Sequence, residues 1–121
     1  MRNLLLTILS LLLLAACTNT APRTKHSALT KADSLMHTHP DSALALLQSI
    51  SADSLTDDAN RAYHALLLSQ ALDKNYIDET NDSLINIAVD YYRTTDDVRS
   101  KFLAFYYQGR VYTNAGESVK A

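Results

Sequence analysis

From residue 27 onward, apolar side chains return every three or four positions in five successive segments. That period gathers them on one face of a helix and would scatter them over both faces of a strand. Chain breakers are scarce enough to let the segments run, with only two Gly and two Pro in the whole sequence, so an all-α fold is expected. The first segment covers about residues 27–38, with Ala28, Ala32, Leu35 and Met36 in register. Pro40 stops it, and Asp41 is placed to cap a second helix lined by Ala43, Leu46, Leu47 and Ile50. A polar loop over 51–56 follows.

The third helix is expected from about residue 57, with Thr56 as its cap and Asp57 and Asp58 at the positive end of its dipole. Its apolar face is Ala59, Ala62, Tyr63, Leu66, Leu67 and Ala71. Residues 74–81 read as a loop with Tyr76 and Ile77 tucked against the domain. The fourth helix, about 82–93, is capped by Thr80 or Asn81 and carries a stripe of Leu84, Ile87, Ala88, Tyr91 and Tyr92. The fifth, about 96–114, is apolar on more than one side. Val98, Phe102, Phe105, Tyr106 and Gly109 make one stripe, which Leu103, Tyr107 and Val111 widen. So broad a face predicts neighbours on both sides. Short loops between such helices give antiparallel pairs, and repeated pairs suggest an α-solenoid.

The N-terminus has a different character. A basic start at Met1-Arg2-Asn3 leads into an apolar run over 4–14. About 20 apolar residues are needed to span a bilayer, so this run fits a secretory leader better than a permanent span. Cys17 is the only cysteine, which excludes an internal disulfide and leaves a free thiol, intermolecular pairing or modification. Leu14-Ala15-Ala16-Cys17 resembles the lipobox of bacterial lipoproteins. That resemblance implies cleavage after Ala16, acylation of Cys17 and attachment to a membrane through acyl chains. Two or more chains on one site hold firmly where one holds marginally. Thr18, in place of the Asp that retains lipoproteins in the inner membrane, implies the outer membrane. Residues 18–23 contain no acid, which points to its periplasmic face. The expected organisation is a signal peptide at 1–16, a lipidated flexible tether at 17–26 and a helical domain at 27–121.

Phe105, Gly109, Tyr112, Gly116 and Ala121 stand at the intervals where a tetratricopeptide repeat (TPR) places a large aromatic, Gly, Tyr, Gly and Ala. The chain resembles that family over 97–121, with one departure at Gln108, where the family has Leu. Ala28, Ala32, Leu35 and Pro40 echo the second helix of such a repeat. The resemblance implies helical hairpins stacked as a short solenoid. It also implies a last hairpin that is incomplete at Ala121, as in a fragment, with the inner face of the final helix uncovered.

No constellation for catalysis accompanies these features. His37, His39 and Asp41 form the one compact His cluster, too few ligands for a structural zinc site once Cys17 is acylated. His64 stands alone on a helix flank. Asp78, Glu79 and Asp82 lack the glycine and spacing of a calcium loop. Neither a nucleophile elbow nor a Gly-rich phosphate loop occurs. A formal charge of −2, dispersed along the chain, argues against nucleic acid. The expectation is therefore a lipid-anchored, cofactor-free interaction module for a protein or peptide partner, not an enzyme. A glycan-binding lipoprotein is the alternative, weakened by the absence of Trp. Tyr91, Tyr92, Tyr106, Tyr107 and Tyr112 are candidates for an aromatic groove, but alternating members are expected in the core, since Tyr92 and Tyr106 continue helical apolar stripes.

Overall fold

A computed structural model describes residues 25–117. The leader, Cys17, the tether up to residue 24 and Ala121 lie outside those residues. Within them are five α-helices and no strand. They are α1 (Ser27–Leu35), α2 (Pro40–Ser49), α3 (Asp58–Lys74), α4 (Ser83–Tyr92) and α5 (Val98–Asn114), with a 3-10 turn at Ala52–Ser54. The all-α expectation holds, and the apolar period placed all five helices.

Helix starts differ in detail from expectation, for local reasons. Pro40 does more than end α1, because it occupies the first turn of α2. Its fixed φ suits that position and its missing N–H costs nothing there. Asp41 consequently lies inside the first turn, and His39 takes the cap position without a side-chain bond. The cap of α3 is Asp57, not Thr56. Its Oδ1 accepts from the Asn60 backbone N–H at 2.8 Å, and its Oδ2 accepts from the Asn60 side chain at 2.7 Å. Asp97 caps α5 in the same way, taking the Ser100 N–H at 3.0 Å and the Ser100 hydroxyl at 2.7 Å. At α4, the Asn81 side chain accepts from the Ser83 N–H at 2.8 Å.

Two helices end in the same reversal. At α5 the Glu117 N–H bonds the Tyr112 carbonyl (2.7 Å) and the Gly116 N–H bonds that of Thr113 (3.0 Å). Gly116 has φ +77°, the left-handed conformation this turn requires. At α3 the Ile77 N–H bonds Leu72 (3.0 Å) and the Tyr76 N–H bonds Asp73 (3.1 Å). There the left-handed position falls to Tyr76, with φ 59°. A bulky residue there stores about 1–3 kcal/mol of strain. Tyr76 and Ile77 are accordingly not tucked in: the turn throws Tyr76 outward, 95% exposed, and leaves Ile77 47% exposed.

The core divides into two apolar clusters, one on each side of α3. Leu29, Ala32 and Met36, the α2 residues Ala43, Leu44 and Leu47, and Leu55 pack against Tyr63, Leu67 and Ala71 of α3. On the opposite side, Ala62, Ala65 and Leu66 of α3 meet Ile85, Ala88, Val89 and Tyr92 of α4 and Ala104, Tyr107 and Val111 of α5. Each helix packs on its successor, and α3 also touches α1 and α5. Among the described residues, the helix with neighbours on both sides is thus α3 and not α5.

The inward face of α4 is turned by about one position from the expected stripe. Ile85 and Val89 are buried beside Ala88 and Tyr92, whereas Ile87 is 48% exposed. This register predicts a clear asymmetry in urea denaturation. Ile85→Ala should cost about 2–5 kcal/mol, the range for emptying a packed aliphatic site. Ile87→Ala should cost less than about 1 kcal/mol. Equal losses at the two positions would contradict the register.

Candidate interaction surfaces

The stripe expected to face inward on α5 faces out. Ser100, Ala104, Tyr107 and Val111 are the residues buried on this helix. On the other side Val98 is 76% exposed, Phe102 67%, Tyr106 49% and Phe105 48%. The Phe102 and Tyr106 rings stack at 6.3 Å, 21° from parallel. Tyr106 also meets the buried Tyr107 edge-on at 5.0 Å, which ties this ridge to the core. The assignment of Tyr106 to the core is therefore corrected, and Tyr107 fills that role. Helical spacing puts Arg99 beside Phe102 (i, i+3) and Lys101 beside Phe105 (i, i+4), so a cation flanks the ridge on each side. Between Val98 and Asn114 there is no acidic residue. Arg110 is engaged elsewhere, with its Nε 2.9 Å from Asp73.

The other α5 residues of the TPR-like pattern hold the helix in place. Gln108, the departure from that pattern, donates to Asn86 of α4 at 2.9 Å. The Tyr112 hydroxyl donates to Asp82 at 3.1 Å, and the Asn114 amide to the Glu79 carbonyl at 3.2 Å. Gly109 is partly exposed beside the ridge, and its carbonyl accepts from the Thr113 hydroxyl at 2.9 Å. Gly116 makes the turn that ends the helix.

A cleft of about 230 Å³ opens behind the start of α5, on the side of the helix away from the ridge. Lys25 lies at its mouth, Asn60 and Tyr63 of α3 on one wall, Tyr91 and Tyr92 of α4 on another, and Asp97 beneath α5. The Lys25 Nζ sits 4.9 Å from the centre of the Tyr63 ring. The Tyr63 hydroxyl donates to Asp33 of α1 at 2.6 Å. Burial, reinforced by Asp33, holds that phenol well above its ordinary pKa. Burial also pushes Tyr92 up to about 12. Both rings are therefore neutral across the physiological range. Asp97 is held below the usual carboxylate value, first by the Ser100 N–H and hydroxyl bonds and then, to a smaller extent, by the charges of Lys25 and Arg99.

Tyr91 and Tyr92 were legible as groove candidates. Lys25, Asp33 and Asn60 were not, because folding alone brings these three positions together. Lys25 and His26 belong to the segment read as a flexible tether, yet the His26 N–H is bound to the Asn60 side chain at 3.0 Å.

The histidines play other parts. A His64 ring nitrogen lies 3.0 Å from the Leu47 carbonyl, inside the core. His37 and His39 are exposed, and the His39 Nδ1 lies 3.0 Å from the Thr38 hydroxyl. Among the described residues no group of three or more His, Cys, Asp or Glu is arranged around a metal-sized space. No described helix is long and apolar enough to cross a membrane. Comparison with known protein families, curated proteins and solved structures returned no match to this chain.

Asp97 lies at the hinge of both surfaces, and its role as a cap is directly measurable. Asp97→Ala should lower stability at pH 7 by about 0.5–2 kcal/mol, the usual worth of such a cap. The folded state depresses the Asp97 pKa, so its contribution is present above the unfolded carboxylate value of about 3.9 and fades as pH falls through the folded one. Urea titrations of the two proteins should therefore converge below about pH 4. A gap that persists unchanged in acid would show that the carboxylate's charge is not what stabilises the cap.

Proposed function

We propose that this chain is a lipid-anchored protein of the bacterial envelope whose helices form a short TPR-like solenoid and serve as a non-enzymatic docking module. The observation that carries the reading is the exposed aromatic ridge of α5, with Arg99 and Lys101 on its flanks. Exposed apolar ridges with charged rims are what helix-in-groove recognition uses. The neighbour pattern of the helices, each on its successor and α3 also on α1 and α5, supports the stacked-hairpin reading. The lipobox-like ending at Cys17 and the spacing of Phe105, Gly109, Tyr112 and Gly116 support the anchor and the repeat respectively.

The occupant of the ridge is an amphipathic helix of a partner protein with acidic residues beside its apolar stripe. A second copy of the chain fits less well. A two-fold contact lays the same cationic patch on itself, and α5 has no acidic residue to meet Arg99 and Lys101. Like charges opposed across an interface cost affinity and direct the surface to other partners.

Two synthetic helices with one apolar stripe, flanked by Glu in one and by Lys in the other, distinguish these cases. The acidic peptide should bind at least about tenfold more tightly in low salt and lose that advantage as salt rises. Phe102→Asp should abolish binding without lowering the melting temperature appreciably, since the ring is mostly exposed. Equal binding of both peptides, or a dimer in sedimentation that Phe102→Asp dissolves, would count against the partner-helix reading. For the anchor, cells fed a clickable fatty acid should label the wild-type chain and leave Cys17→Ser unlabelled. Equal labelling of the two would remove Cys17 as the attachment point.

A further inference from the structure

We propose that the tyrosine-walled cleft behind α5 is a binding site for an organic ammonium group, and that Lys25 is its resident internal occupant. The site is distinct from the ridge and goes beyond the docking function assigned to it. Its walls are the rings of Tyr63, Tyr91 and Tyr92, drawn from two helices. Tyr91 and Tyr92 meet edge to face at 5.2 Å and 87°, so their ring planes stand at right angles beside the cleft. A cation over a phenol face is attracted by the ring quadrupole. Lys25 already shows the contact, with its ammonium 4.9 Å from the Tyr63 ring centre.

Charge decides the ligand's sign. Among the described residues lining the cleft, only Lys25 and Asp97 are charged. With Lys25 withdrawn the lining is left with the Asp97 carboxylate and neutral phenols, and Arg99, outside the lining, is a cation whose charge still reaches Asp97 and Tyr63. The carboxylate accepts two bonds from Ser100 and retains lone pairs for a third donor. Asp33, bound to the Tyr63 hydroxyl, adds a second carboxylate close behind that wall. Two helix N-termini also meet the cleft, those of α3 and α5, and such termini attract anions when their N–H groups are free. Here Asp57 holds the Asn60 N–H and Asp97 holds the Ser100 N–H, so the two ends present carboxylates instead.

Lys25 is suited to be displaced. Its residue is exposed, and the chain behind it is anchored one residue on, where the His26 N–H bonds Asn60. The backbone thus stays in place while the side chain swings out. An exposed cation–π contact is weak enough for a ligand to compete with it, and its removal should strengthen ligand binding by about two- to fivefold.

The test titrates the full chain with Nα-acetyl-lysine amide, spermidine and the neutral control Nα-acetyl-norleucine amide, following the tyrosine ring and the Ser100 and Asn60 amide NMR signals. Lys25→Ala should give saturable shifts with an ammonium probe and none with norleucine. The wild type should give the same shifts at about two- to fivefold higher probe concentration. Saturation by lysine amide alone identifies a lysine side chain of a protein as the source, and saturation by spermidine alone identifies a free polyamine. Either supports the site. Tyr91→Leu and Asp97→Asn, each checked for an unchanged helical spectrum, should weaken the binding. No saturation in Lys25→Ala, norleucine binding equal to the ammonium probes, or indifference to both of the last two substitutions would overturn the proposal.

Discussion

Burial of α3 on two opposite sides is the constraint on which the rest of the fold depends. Tyr63, Leu67 and Ala71 complete one apolar cluster, while Ala62, Ala65 and Leu66 complete the other. Among the described residues, neither α1–α2 nor α4–α5 has an equivalent second wall. Short helices are marginal in isolation, and most helical stability in proteins comes from packing an apolar face. The flanking pairs are therefore held through α3. That dependence has a cost, since the polar residues of α3 are drawn in as well. His64, Ser69 and Gln70 are all buried. His64 finds the Leu47 carbonyl and Ser69 lies within hydrogen-bonding influence of Glu79, but Gln70 Oε1 finds no hydrogen-bond partner among the described residues. An unpaired buried group of this kind costs about 1–3 kcal/mol. The apolar contacts on both sides of the helix must exceed that penalty.

Local signals and tertiary packing were unequally legible in the sequence. Helix existence came from the apolar period alone, because five segments with almost no breakers leave little else for the chain to do. Helix starts were less secure. Thr56 and Asp57 are both good caps, and only the geometry at Asn60 selects the second. Which face turns inward was the least legible property. On α3 the buried polar residues disguise a helix that is enclosed. On α5 the inward face carries Ser100 and Ala104 together with Tyr107 and Val111. Phe102, Phe105 and Tyr106 are left outside. Periodicity identifies apolar faces and is blind to which of two such faces the neighbouring helices cover. The turn at Tyr76 was hidden for a related reason: nothing in the residue type announces a left-handed position that glycine normally fills.

The candidate cleft was hidden in a different way. Its residues come from three separated pieces of chain: Lys25 before α1, the start of α3 at 59–63, and the stretch 91–100 that runs from the end of α4 into α5. Only folding brings those three pieces together. The two aspartates that cap α3 and α5 also set its electrostatic character, because each occupies a helix end that would otherwise favour anions. Asp97 thus has two consequences from one placement. It starts α5, and it gives the cleft beneath that helix its negative charge.

Both surfaces lie on opposite sides of α5, and this couples them physically. The outward ridge keeps its orientation only while Ala104, Tyr107 and Val111 remain seated in the cluster against α3 and α4. The cleft shares the same seating through Tyr92, which belongs to that cluster and also lines the cavity. Tyr92 is therefore part of the same packing that aims Phe102 and Phe105. Tyr106 joins the ridge to that packing, stacked on Phe102 outside and edge-on to Tyr107 inside. Packed interiors hold few voids, so the seating of these side chains is shared. The helix is thus a shared wall as well as a presenting surface, and whatever fixes its tilt fixes both.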